Sequence, residues 1–164
     1  MFDIDIPTLV VTSVLMAAVF AIFFYYSLKI RRTRKELSAK YNHFISERNL
    51  KPTLREDWRN RFILGIDQPN KTLVYCNFGE KEEKLAISLP EVSRVEVLED
   101  FQEGTNGTKS FKTLENLALK IQFKNPSKAA LQLPIYSAED YSDLLGETVL
   151  ASNWSKLINS ELTK

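Results

Sequence analysis

Residues 8–28, TLVVTSVLMAAVFAIFFYYSL, run without a single charge and stop abruptly at Lys29, Arg31, Arg32, Arg34 and Lys35. As a helix rising about 1.5 Å per residue, the run reaches roughly 30 Å, the thickness of a bilayer's hydrocarbon core. A helix with no polar face must lie in lipid or inside a large protein core. The rest of this 164-residue chain is too short to supply that core. A cleaved signal peptide would need a basic leader and a small-residue cleavage site. Here Asp3 and Asp5 precede the run and bulky basic residues follow it. The sequence therefore predicts an uncleaved span through the lipid bilayer at 8–28.

The nearby Lys and Arg all lie on the C-terminal flank, and such residues are retained on the cytoplasmic side of a membrane. This predicts a single-pass protein of the inner (plasma) membrane, with a short tail, 1–7, outside and the remainder cytoplasmic. Phe23, Phe24, Tyr25 and Tyr26 would sit near the inner interface, where aromatic rings are favoured.

Lys and Arg total 22 and Asp and Glu 21, but the positive charge is concentrated in 29–40, where Glu36 is the only acid. The slightly acidic remainder argues against a nucleic-acid surface, which would be basic. Cys76 is the only cysteine and His43 the only histidine, too few for a Cys/His metal site. The acidic groups at Glu99, Asp100 and Glu103 and at Glu139, Asp140 and Asp143 lack calcium-loop spacing, and no glycine-rich phosphate loop is present. No metal, cofactor or catalytic residue is expected. His43 reads as a half-exposed helix residue and Cys76 as a buried thiol in a strand.

Leu37, Tyr41, Phe44 and Ile45 fall at helical spacing after the span, and Pro52 ends that pattern. A basic juxtamembrane helix and a polar connector therefore fill 29–60; the helix stripe has three places to go, the following domain, the same helix of a second chain or the lipid surface, and it is too narrow and short for a sustained coiled coil, which favours the domain. Trp58, in the connector, either packs on that domain or lies at a contact surface. From residue 61 the period becomes two: RFILGID, the turn DQPNK, TLVYCNF, then Leu85, Ile87 and Leu89, then SRVEVLED. EGTNGTKS, 103–110, reads as a flexible loop. The alternation of Leu117, Leu119, Ile121 and Phe123 marks a strand wet on one face. Leu131, Leu133 and Ile135 follow, with Pro134 implying an edge. Leu150, Trp154, Leu157 and Ile158 then share one face of a helix over 147–163, with Ser152, Ser155, Lys156 and Ser160 opposite.

About six antiparallel strands followed by a helix with a Trp on its buried face resemble the pleckstrin-homology-like (PH-like) fold of bacterial membrane-associated proteins. The resemblance covers roughly 61–163 and is carried by FILGIDQPNKTLVY, KLAISLPEVSRVEVLED, LALKIQFKNPSKAALQLPIY and Trp154 with Leu157 and Ile158. It implies an α+β protein in which 61–164 form a small antiparallel roll plugged by Leu150, Trp154, Leu157 and Ile158. Phosphoinositide-binding members carry a basic cluster at the first hairpin loop. Here that loop reads as Asp67-Gln68-Pro69-Asn70-Lys71, a poor phosphate cradle. The expectation is a non-enzymatic, membrane-anchored module that binds a protein or a second copy of itself. A lipid-sensing module is the alternative, and an enzyme of unrecognised type comes third.

Overall fold

The computed structural model describes residues 6–106 and 109–163. The outer tail expected at 1–7 falls mostly outside them. The protein is α+β: one long N-terminal helix, two antiparallel sheets and a C-terminal helix. Helix α1, Ile6–Glu47, is unbroken for 42 residues, about 63 Å at 1.5 Å per residue. None of its apolar window is buried, as a membrane span requires and the core helix of a soluble protein does not. Leu50 donates its N–H to the Ile45 carbonyl across Asn49, at φ 52°, a left-handed helix stop.

Sheet A runs in the order β1, Leu54–Trp58; β2, Phe62–Asp67; β3, Thr72–Asn77; β4, Glu83–Ser88. Sheet B runs in the order β5, Val92–Asn106; β6, Lys109–Phe123; β7, Leu131–Ser137. All pairings are antiparallel. Pro134 lies in β7, an edge strand, where its missing N–H costs no ladder bond. The loop expected at 103–110 is strand as far as Asn106 and again from Lys109, so β5 and β6 form one long hairpin. Residues 107 and 108 lie outside the described residues.

The larger correction concerns 52–60. The expected connector contains β1, which pairs with β2 from Leu54↔Ile66 to Trp58↔Phe62. The first hairpin turn is therefore Arg59-Asn60, both at positive φ, and DQPNK is the second. In that second turn the Asp67 carboxylate accepts hydrogen bonds from the backbone N–H groups of Lys51 (2.6 Å) and Asn70 (3.1 Å) and from the Asn70 side chain (2.8 Å). Burial pushes this carboxyl upward, but those donors outweigh it and hold the pKa below the usual value.

Both sheets contribute to one apolar core. Leu64, Ile66, Leu73 and Tyr75 come from sheet A; Val95, Leu117, Leu119, Ile121, Leu133 and Ile135 come from sheet B. The C-terminal helix α2, Glu147–Leu162, adds Ala151, Trp154 and Ile158 to it, with Leu150 and Leu157 partly buried alongside. Ser155, expected on the wet face, is buried instead. Its hydroxyl and the Asn159 amide donate to the Val95 carbonyl at 2.9 and 2.7 Å, and the Val95 N–H donates to Asn159 Oδ1 at 3.0 Å. β5 is an edge strand, and its backbone groups take partners from α2 in place of another strand.

A second, smaller cluster lies on the other face of sheet A. Tyr41 and Phe44 of α1 cover Ile63, Val74 and Cys76, with Ile45, Leu50 and Phe78 partly buried beside them. This explains why β2 is buried at every position along its length. Tyr41, Phe44 and Ile45 of the stripe thus pack on the domain, the favoured of its three places, and Leu37 lines a cleft beside them.

Candidate functional site

Strand β1 stands at the edge of sheet A with a cleft on each side. Its charged sequence, LREDW, conceals a two-residue period. Arg55 and Asp57 line the cleft facing α1, and Leu54, Glu56 and Trp58 border the groove facing α2, which Arg55 and Asp57 also edge. Trp58 packs on the domain: its ring stacks on Phe62 at 5.2 Å, and its indole N–H donates to the Ile135 carbonyl at 2.9 Å.

The cleft on the α1 side has a volume of about 240 Å³. Arg34, Leu37 and Ser38 of α1 form one wall; Arg55, Asp57 and the turn residues Asn60 and Arg61 form the other. Arg34 Nε donates to Asn60 Oδ1 at 3.0 Å, and Arg55 Nη2 donates to Ser38 Oγ at 3.1 Å. The Arg55 guanidinium also lies 4.6 Å from the Tyr41 ring. Arg61 is engaged elsewhere, through Asn77 (2.9 Å) and Asp140 (2.6 Å). The sequence does not reveal this convergence because Arg34 lies 21 residues before Arg55 and because DQPNK reads as the first hairpin loop, which hides β1. The five flanking cations do not act as one set. Arg34 faces the domain, whereas Lys29, Arg31, Arg32 and Lys35 do not line this cleft.

On the other side of β1 a groove runs between the strand and α2. One part, about 450 Å³, is lined by Leu54, Glu56, Asn153, Trp154 and Leu157; the next, about 340 Å³, by Trp58, Arg59, Leu145, Val149 and Leu150. Leu54, Leu145 and Val149 are 43%, 73% and 62% exposed, an apolar strip beside an unpaired strand edge. Two polar ties hold the walls together. Trp154 Nε1 donates to Glu56 Oε2 at 2.6 Å, and Arg59 reaches Glu147 at 2.5 Å and Asp143 at 3.1 Å. Arg59 and Glu147 are both nearly buried. Burial disfavours the Arg59 cation, but its hydrogen bonds to Glu147 and Asp143 win and raise its pKa.

No protein-family model, no curated protein and no solved structure matches this chain. Its geometry alone carries the functional argument.

His43 is exposed, 3.6 Å from Glu47. Cys76 is fully buried beneath Tyr41 and Phe44, and burial pushes its thiol up to about 12. Among the described residues, no three His, Cys, Asp or Glu side chains come together as a metal site.

Proposed function

We propose that this chain is a non-enzymatic, membrane-anchored interaction module that presents a PH-like roll, one end closed by α2, on the cytoplasmic side of the inner membrane. The orientation rests on the one-sided placement of Lys29, Arg31, Arg32, Arg34 and Lys35. The observation that carries the function is the groove between β1 and α2. An edge strand offers unpaired backbone N–H and C=O groups to an extended segment of another protein, and the neighbouring helix supplies apolar contacts for alternate side chains. Leu54, Leu145 and Val149 are the apolar residues so placed. Docked against sheet A, α1 holds this groove close to the bilayer.

The test is a photo-crosslinking residue in place of Val149 in the full-length chain, in its native membrane, with the same residue at Lys124 as a distant control. A discrete protein adduct should form from position 149 alone and disappear with Leu54→Asp on the facing strand. Adducts of equal yield from both positions, or none from 149, would remove the groove as the partner site.

A further inference from the structure

The arginine-lined cleft between α1 and β1 has unused binding capacity at a defined depth. Arg34 and Arg55 enter no ion pair among the described residues, and one hydrogen bond each, to Asn60 and Ser38, leaves most of their guanidinium N–H groups unengaged. With Arg61 met by Asp140, these two cations face a single carboxylate, Asp57. Guanidinium forks with spare donors in a polar cleft suit a phosphate oxyanion, which accepts parallel N–H bonds.

The depth identifies the source. Arg34 follows Leu28, the last residue of the uncharged run, by six positions on an unbroken helix, about 9 Å along the axis. The headgroup layer extends about 5 to 8 Å beyond the hydrocarbon on each side, and helical side chains lean toward the N-terminus, here toward the bilayer. The Arg34 guanidinium thus reaches the phosphate level, and the cleft opens one step below it. Arg55 lies deeper, beside Ser38 and Tyr41, so the cleft extends from the headgroup layer into the contact between helix and sheet.

We propose that this cleft binds the phosphate of one anionic phospholipid from the leaflet adjoining the domain, clamped between Arg34 of the anchor helix and Arg55 of β1. The lipid then cross-braces the anchor and the sheet. The inference rests on α1 crossing the bilayer and is independent of the partner groove. It also requires the anchor: a fragment beginning at Leu50 lacks one whole wall of the cleft.

The experiment uses the full-length protein. Resistance of the membrane-bound chain to alkaline carbonate first checks the span by itself. The detergent-extracted protein is then examined by native mass spectrometry for retained lipid, after reconstitution with phosphatidylglycerol and phosphatidylcholine. One phosphatidylglycerol per chain should survive. Arg34→Gln and Arg55→Gln should each reduce that occupancy about tenfold, the scale of one charge-assisted contact. Arg31→Gln and Arg32→Gln remove the same charge outside the cleft and should leave occupancy unchanged. Arg34 is exposed, so its variant should melt as the parent does. Absence of retained lipid, or equal loss in all four variants, would overturn the site. Displacement of the lipid by millimolar inorganic phosphate would assign the cleft to a soluble anion and overturn the lipid assignment.

Discussion

Gly65 decides how closely the anchor helix can approach the sheet. A Cβ at this position would stand 2.4 Å from the Tyr41 hydroxyl and 3.3 Å from the Leu54 carbonyl oxygen. The phenol pressed against it is buried and its hydroxyl has no hydrogen-bond partner among the described residues; burial pushes its pKa up to about 12. The shape of the contact is therefore kept although one polar group goes unsatisfied. Gly65→Ala should destabilise the protein by about 1 to 3 kcal/mol through overpacking. Tyr41→Phe should be neutral or stabilising by about 1 kcal/mol, since it removes the unsatisfied hydroxyl. In the double variant the loss should shrink, with a coupling of at least about 0.5 kcal/mol in denaturant melts. Strict additivity would place the clash at the Leu54 carbonyl and not at Tyr41. A different constraint acts at Arg59 and Glu147: Arg59→Ala strands the buried Glu147 carboxylate at a cost of about 3 to 5 kcal/mol in denaturant melts, whereas removing Glu147 leaves Arg59 its Asp143 contact and should cost less.

At the scale of elements, α1 and α2 treat the sheets differently. α2 adds its apolar face to the shared core and its polar side chains to the β5 edge, whereas the lower part of α1 covers a separate apolar patch on the outside of sheet A. Cys76, the only cysteine, reports on that second contact. A thiol reagent should label the full-length protein slowly, because the thiol is buried and held protonated. Phe44→Ala opens the patch and should speed labelling about tenfold or more while the main core, which Phe44 does not touch, keeps its cooperative unfolding. Unchanged labelling would mean that α1 does not protect sheet A. A fragment starting at Leu50 keeps the main core but exposes Ile63, Val74 and Cys76, so it should label at the rate of a nearly open thiol.

For the molecule as a whole, the parts legible in the sequence are those with a clean period: the apolar run of α1, the docking stripe at Leu37, Tyr41, Phe44 and Ile45, the alternation through β6, and the face of α2 bearing Trp154 and Ile158. β1 escaped because its alternation, Leu54, Glu56, Trp58, is carried by a charged pentapeptide that is a strand only through its pairing with β2. Ser155 and Asn159 escaped because their role is to satisfy the backbone of β5, a need created by tertiary structure and invisible to hydropathy. The arginine cleft depends on both kinds of information, since it exists only where β1 meets the anchor. One continuous helix joins the apolar run to the sheet contact, so the domain is held in a fixed position relative to that run. The most direct test is a double electron–electron resonance measurement on the full-length chain in lipid bilayers, with Cys76 replaced by Ala and spin labels at Leu28 and Lys71. A single narrow distance distribution, preserved when Lys29 and Arg31 are changed but broadened by Phe44→Ala, is the predicted result. A broad distribution in the unaltered sequence would contradict the account, because the domain would then hang on a flexible tether and its groove would have no fixed position relative to the apolar run.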